Sequence, residues 1–280
     1  MTILNAIILG LVQGVTEFLP VSSSGHLAIL QTLFGMSDVE NGHMFFDVLL
    51  HLGTLTAICF VYWNDIAAMF NEVSAIFKGR TALTTKDGKA VQFPAARLLV
   101  MILIATLPLV LVLPVNDYIE ELGNYSFFVG IALILTGFVL YAADKLQVGK
   151  KTQKNLTVKD ALIIGLCQCV AVIPGISRSG VTITAGLARG ANRNFAVKFS
   201  LLMSIPAVLG ATLIELIKAF SAGIDVSLIP AYIIGMVVSM VSGVLAISAV
   251  KYVVNKGKFG GFSYYCWVVG ALSIVLTMIF

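Results

Sequence analysis

G-L-V-Q-G-V-T-E-F-L-P-V-S-S-S-G-H, from Gly10 to His26, and G-L-C-Q-C-V-A-V-I-P-G-I-S-R-S-G-V, from Gly165 to Val181, are two versions of one segment. Gly10, Leu11 and Gln13 match Gly165, Leu166 and Gln168, and Gly25 matches Gly180 in the same register. Pro20 and Pro174 fall one residue out of step, so the break is shared but its turn is built differently. Each copy starts as an apolar helix and stops at polar residues. Broken apolar segments at matching places in two halves of a chain mark the functional site of a membrane protein.

Composition supports the membrane reading. The chain is 59% hydrophobic and 11% charged, against roughly 45–50% and about 25% in soluble domains. A hydrocarbon core of ~30 Å needs about 20 apolar residues per helix. Six stretches meet this or nearly so: 44–63, 95–113, 127–143, 195–217, 230–252 and 261–279. The opening M-T-I-L-N-A-I-I-L-G has no basic n-region and no small-residue cleavage site, and is read as mature sequence. Cys59, Cys167, Cys169 and Cys266 lie in apolar stretches without metal-ligand spacing and are read as small buried hydrophobes. The net charge of +4 does not point to nucleic acid, because the basic residues serve topology.

The two repeated segments cannot span. Residues 4–19 have a helical pattern but cover only about 24 Å at ~1.5 Å per residue, and Pro20 with the S-S-S-G run ends them. A shorter apolar piece, 26–35, follows. The second copy reads as 160–173, a break at 174–180, then 181–190. Each is expected to be a re-entrant hairpin, whose irregular backbone survives at depth only where protein or a wet cavity satisfies it.

The expected fold class is an all-α polytopic membrane protein built as an inverted repeat, each half a re-entrant helical hairpin plus three transmembrane helices. The first repeat is 1–144, with hairpin 4–35 and spans 44–63, 95–113 and 127–143. A cytoplasmic linker, 145–157, leads to the second repeat, 158–280, with hairpin 160–190 and spans 195–217, 230–252 and 261–279. Three spans per half is odd, so the halves insert in opposite senses. With the N-terminus outside, the inner segments and their flanks hold Lys78, Arg80, Lys86, Lys89, Arg97, Lys145, Lys150, Lys151, Lys154, Lys159, Arg189, Arg193, Lys198, Lys251, Lys256 and Lys258. Outside there is only Lys218, while 114–126 carries Asp117, Glu120 and Glu121. The positive-inside rule selects this orientation. Both termini face outside, and the hairpins enter from opposite faces to meet near the midplane. The stretch 65–78 reads as an interfacial helix on the inner leaflet, and 78–89 as a polar loop.

Arg178, the remaining basic residue, lies inside the second hairpin. A guanidinium in mid-membrane costs at least ~2.5–3.5 kcal/mol on insertion scales, so it needs a partner or a task. Its S-R-S-G setting ahead of a helix adds hydroxyls and helix amides, a combination suited to phosphate. The plain alternative is a structural ion pair with Glu17. Glu17, on the same helical face as Gln13, could hold a divalent cation, act as acid or base, or neutralise Arg178; Gln13 offers neutral metal ligation only. Ser23 and His26 lie three apart across the first turn, the minimal activated nucleophile. Ser22, Ser24, Ser177, Ser179 and Thr182 are candidate phosphate donors, with helix packing as the other reading. His51 and Asp47, one turn apart, suggest a structural hydrogen bond, and His43 a short outer loop.

Q-G-V-T-E-F-L-P-V-S-S-S-G-H and P-G-I-S-R-S-G-V-T closely resemble the paired motifs of the undecaprenyl-diphosphate phosphatase family, linked to bacitracin resistance. The likeness extends to chain length, to F-F-D-V-L-L-H-L-G-T at 45–54, and to the hairpin-plus-three-span repeat. It implies hydrolysis of undecaprenyl diphosphate to the monophosphate at the outer face of the bacterial inner membrane, recycling the carrier lipid of peptidoglycan synthesis. It further implies a homodimer and a divalent cation, Mg²⁺ or Ca²⁺. By motif position Glu17 is the second acidic residue of an (E/Q)-x-x-x-E pattern, and Ser23, His26 and Arg178 complete the catalytic set. Many relatives carry glutamate where this chain has Gln13, which removes one carboxylate from any two-glutamate chelate.

These parts imply a mechanism. Arg178, flanked by Ser177 and Ser179, clamps the diphosphate; Glu17 with Gln13 holds the cation; His26 activates Ser23 or a water for in-line attack. The competing reading is a transporter or flippase of a polyprenyl phosphate lipid, since broken inverted repeats are also transporter architecture. The orientation is testable by single-cysteine labelling in a cysteine-free background. Position 120 should label from the outside and position 154 from the inside; labelling of 120 from the inner side alone would contradict the inverted insertion.

Overall fold

The computed structural model describes residues 1–33, 44–80, 83–84, 90–91, 93–222, 225–256 and 259–279. In chain order the α-helices are α1 (Ile3–Phe18), α2 (Ser23–Leu33), α3 (Met44–Val61), α4 (Trp63–Phe77), α5 (Pro94–Thr106) and α6 (Asn116–Glu121). They are followed by α7 (Ser126–Lys145), α8 (Val158–Val170), α9 (Arg178–Ala188), α10 (Arg193–Ala222), α11 (Ile229–Asn255) and α12 (Gly260–Ile279). The β-structure among the described residues is one short antiparallel pair, Leu83–Thr84 with Ala90–Val91, and one isolated bridge between Lys151 and Ala191. The protein is an all-α polytopic membrane protein. Among the described residues six helical runs are long and apolar enough to cross a bilayer: Met44–Val61, Pro94–Asn124, Ser126–Lys145, Arg193–Ser221, Val226–Val254 and Gly260–Ile279. Large apolar side chains such as Leu135, Val241, Leu245 and Leu272 face outward on them, where lipid covers them.

Two local readings change. The stretch 95–113 is regular α-helix only to Thr106 and continues as 3₁₀ turns over Leu107–Leu111 and Leu113–Val115. Pro108 and Pro114 cause this, since neither can donate to the helix ladder. The helices after the breaks also begin earlier than expected. Ser23, Ser24 and Arg178 are not loop residues but lie in the first turns of α2 and α9, because the serine before each supplies a cap. The expected interfacial helix at 65–78 is α4, with Phe70, Ile76 and Phe77 exposed. His43 and most of the 78–89 loop lie outside the described residues.

Packing runs through small residues. The principal pairs are α1 on α11, α7 on α12, and α3 on both α11 and α10, with α8 packed on α5. Without a hydrophobic force between helices in lipid, close approach and hydrogen bonds hold such pairs. A methyl group added at Gly10 would overlap the Gly235 carbonyl, and one at Gly165 the Ala105 carbonyl. Gly130 and Gly270 bring α7 and α12 together in the same way. Ser239 Oγ donates to the Leu50 carbonyl at 2.9 Å and Ser273 Oγ to the Ser126 carbonyl at 2.9 Å, tying α11 to α3 and α12 to α7.

Three of the acidic residues complete helix starts. Glu72 accepts from the Ala95 and Ala96 amides at 2.7 and 2.8 Å, anchoring α5 on α4. Asp144 accepts from the Phe259 amide at 2.9 Å and also from that of Gly260, fixing α12 against α7. Asp160 closes a capping box with Thr157 and binds Lys151 at 2.7 Å and Arg189 at 2.9 Å. Burial alone would raise the Asp160 pKa, but the bonds from Lys151, Thr157 and Arg189 outweigh it and hold the carboxyl below its usual range. These carboxylates compensate helix dipoles; Glu17 does not.

A methyl at Gly14 would lie under 3.0 Å from Ser242 Oγ, the Ser239 carbonyl and the Gly243 amide, whereas one at Gly210 meets nothing within 4 Å. Gly14→Ala is therefore expected to cost ~1–3 kcal/mol by overpacking, and Gly210→Ala to stay within about 0.5 kcal/mol. Unfolding in detergent measures both; equal effects would contradict the close approach of α1 and α11.

Candidate active site

The two breaks are built on one capping scheme. Setting Gly10 on Gly165 places Ser22 on Ser177, Ser23 on Arg178 and Ser24 on Ser179. Ser22 Oγ accepts from the Gly25 amide at 3.3 Å, and Ser177 Oγ from the Gly180 amide at 3.1 Å. Each capping hydroxyl also lies 3.3 Å from the serine two residues on, Ser24 or Ser179. The turns differ as the displaced prolines require. In the first break Ser22 itself is left-handed, with φ 70°. In the second, Gly175 takes that conformation, φ 92°, two residues before an ordinary extended Ser177. A buried serine in the left-handed region is strained and persists only where its surroundings fix it.

The same register sets Ser23 and Arg178 at equivalent helix starts, and both reach Glu17. Arg178 Nη2 lies 2.5 Å from Glu17 Oε1 across the two hairpins. Ser23 Oγ donates to Glu17 Oε2 at 2.6 Å, and Gln13 Nε2 to the same oxygen at 3.1 Å. Glu17 and Gln13 are buried. Two buried polar atoms here have no hydrogen-bond partner: Arg178 Nη1, a donor, and Gln13 Oε1, an acceptor. A buried open donor on a part-exposed arginine is the arrangement an anion would complete.

The hairpins are bonded at further points. Ser179 Oγ donates to the Leu19 carbonyl at 3.2 Å, and the Gly175 amide approaches Ser24 Oγ at 3.5 Å. Thr136 of α7 braces the second turn, accepting from the Ser177 amide and donating to the Gly175 carbonyl, both at 3.0 Å.

Not every residue singled out from the sequence meets the cluster in the same way. Ser22, Ser177 and Ser179 are buried and engaged in capping or in the hairpin contact, and Ser24 is exposed. Thr182 lies one turn along α9, its hydroxyl shared between the Arg178 carbonyl at 2.8 Å and Ser200 Oγ at 2.7 Å. Ser23 bonds to Glu17 and not to His26. His26 Nδ1 lies 2.7 Å from the Ser22 carbonyl and Nε2 lies 2.8 Å from Tyr265 Oη. His51 is hydrogen-bonded to the Asp47 backbone carbonyl at 2.9 Å, while the Asp47 carboxylate takes the Gln31 amide at 3.0 and 3.2 Å. Tyr265 and Gln31 escaped the sequence reading. A tyrosine in an apolar span reads as an interface anchor, and nothing local ties α12 to the first hairpin.

A narrow crevice beside Glu17 is lined by Phe18, Thr54, Leu55, Ile58, Ser204 and Val208. A larger cavity, about 440 Å³, lies between the linker and the start of α10, and shares no lining residue with Glu17. Among the described residues no group of three His, Cys, Asp or Glu side chains is arranged to hold a metal ion.

Removing one partner of a buried ion pair strands the other, at about 3–5 kcal/mol. Glu17→Gln and Arg178→Gln are each expected to destabilise by that order. The double variant should be more stable than the sum of the two losses implies. Thermal unfolding in detergent checks this; additive losses would mean that the pair is not coupled.

The family model for bacitracin resistance protein BacA matches residues 6–272. A protein of Alkaliphilus metalliredigens named undecaprenyl-diphosphatase is 41% identical over 280 residues, covering all of both chains. A protein of the same name from Carboxydothermus hydrogenoformans is 39% identical over 279 residues, covering 97% of this chain and 96% of its own. One from Methanosphaera stadtmanae, also so named, is 38% identical over 279 residues, with 99% of each chain covered.

Proposed function

The chain belongs to the family of bacitracin resistance protein BacA, and from that premise we propose that it hydrolyses undecaprenyl diphosphate to undecaprenyl phosphate and inorganic phosphate. The observation that carries this reading is the Glu17–Arg178–Ser23 cluster with an unpartnered guanidinium nitrogen. An anion, a nucleophile and a base have places within one set of contacts. The relatives above are named for hydrolysis, not transport, which favours the enzyme over a flippase.

The chemistry follows from the residues. The incoming diphosphate takes over Arg178, whose planar fork binds two oxygens and spreads their charge. Glu17, released from Arg178, keeps Ser23 and receives its proton as Oγ attacks the terminal phosphorus. The Ser23 Oγ–P bond forms and the bridging P–O bond breaks, with undecaprenyl phosphate as leaving group. Water then attacks the phosphoseryl phosphorus, giving a proton to His26, while Glu17 returns its proton to the departing Ser23 Oγ and free phosphate leaves. Phosphoryl transfer needs mostly positioning and charge neutralisation.

A divalent cation belongs to the same reading. Its protein donors would be Glu17 and the open Gln13 Oε1, and a hard ion of this kind is commonly held by one or two carboxylates plus substrate phosphates. When bound, Mg²⁺ or Ca²⁺ would neutralise the phosphate oxygens.

The inverted-repeat organisation is part of the proposal. Gly10 of α1 against α11 and Gly165 of α8 against α5 are equivalent contacts of equivalent helices, which supports it. The site then opens to the outer face of the inner membrane, with both termini outside and the prenyl tail between spans. Assembly as a homodimer rests on the resemblance alone.

Purified protein in detergent should release phosphate from undecaprenyl diphosphate. Arg178→Lys is expected to lose about 10²-fold or more, comparable to removal of an oxyanion donor, and Ser23→Ala nearly all turnover. No release from well-folded wild type would refute the reading; near-normal Arg178→Lys activity would reduce Arg178 to a counter-ion.

A further inference from the structure

We propose that Tyr265 is the positioning residue of His26, holding the plane of its imidazole and reserving Nε2 as a proton-accepting nitrogen. The inference rests on the reading of His26 as a proton carrier of the phosphatase.

The Ser22 carbonyl accepts from the His26 amide at 3.4 Å and lies only 2.7 Å from Nδ1. A carbonyl oxygen can only accept, so Nδ1 carries a proton. In the neutral ring Nε2 is then the acceptor, and the group that meets it is the Tyr265 hydroxyl at 2.8 Å. The strained Ser22 conformation thus has a consequence beyond capping: it belongs to the turn that sets the His26 tautomer.

The contact between α2 and α12 is more than one hydrogen bond. The His26 and Tyr265 rings lie 5.6 Å apart between centroids and within 4° of parallel. With both nitrogens bonded and the two rings lying edge to edge in nearly one plane, the imidazole has little freedom to rotate or to exchange tautomers. Other partners would act differently. A carboxylate on Nε2 would hold the ring as the cation, and among the described residues no carboxylate is hydrogen-bonded to His26. Both Glu17 oxygens are taken by Arg178, Ser23 and Gln13. A phenol is neutral and its hydroxyl rotates. It donates to Nε2 while the ring is neutral and accepts from Nε2–H once the ring is protonated. His26 therefore keeps a partner in both states, and neither strands a buried polar atom, whose cost is about 1–3 kcal/mol.

Tyr265→Phe isolates the hydroxyl, since the aromatic ring beside His26 remains. The readout is the ¹⁵N spectrum of full-length protein labelled at histidine, with His26 assigned by difference against His26→Gln. Wild type is expected to give a protonated Nδ1 and a hydrogen-bonded, unprotonated Nε2. In Tyr265→Phe, Nδ1 should stay protonated while Nε2 moves toward the frequency of an unbonded acceptor. Turnover of undecaprenyl diphosphate should fall about tenfold with KM within about twofold, the scale of one hydrogen bond in the rate-determining state. Tyr264→Phe, a neighbour that packs on Trp267, should leave both readouts unchanged. The proposal is overturned if wild-type His26 is protonated at Nε2, if its Nε2 frequency does not respond to Tyr265→Phe, or if that variant turns over at the wild-type rate. Should wild type release no phosphate at all, the phosphatase reading fails, and the spectra alone still decide whether Tyr265 fixes the tautomer.

Discussion

The ion pair between Glu17 and Arg178 is the contact on which the rest of the protein is arranged. It joins two hairpins, α1–α2 and α8–α9, that are remote in sequence. Neither charge is well tolerated alone in an apolar surrounding. A lone guanidinium in hydrocarbon costs several kcal/mol on insertion scales, and a lone buried carboxylate is no better placed. Bringing them together needs both breaks at one level, hence helices that stop short of spanning and turns that are fully bonded.

The turns meet that requirement with few parts. Ser22 and Ser177 cap the outgoing helices through the third amide, so each break begins a new helix at once. The backbone reversal then falls to one left-handed residue, a glycine in the second break and a serine in the first. Gly175 faces the Val129 carbonyl and the Ala132 methyl so closely that a side chain would overlap them. The first break places Ser22 in that conformation instead. A serine is kept there although its conformation is strained, and its carbonyl is the one that holds His26.

This scheme also explains how one fold presents unlike chemistry at equivalent places. Ser23 and Arg178 occupy matching first turns, yet one is a short neutral hydroxyl and the other a long cation. Both converge on Glu17 because the first hairpin supplies the acid and the second lacks one at the corresponding Val172.

Much of this was legible in the residues themselves. Apolar runs gave the six spans, because a bilayer demands a fixed length of hydrocarbon-compatible helix. The repeated Gly-Leu-x-Gln and the prolines gave both breaks, and an arginine in an apolar context announced that it needs a partner. Local sequence carried less about where helices restart. Ser23 and Arg178 looked like loop, since serine and glycine favour turns unless one of them caps. Hydrogen-bond partners were beyond it altogether. Three-residue spacing suggested that Ser23 would meet His26, but α2 turns the hydroxyl to Glu17 and the imidazole to α12. Spacing along one helix fixes only which side chains share a face, and which face meets which neighbour depends on every other helix in the bundle. The sequence by itself determined the membrane fold, the broken hairpins and the identity of the charged pair. Only the tertiary structure decided that Glu17 holds both Arg178 and Ser23 and that Tyr265 reaches His26, because those contacts cross between helices whose packing is set by small residues distant in the chain.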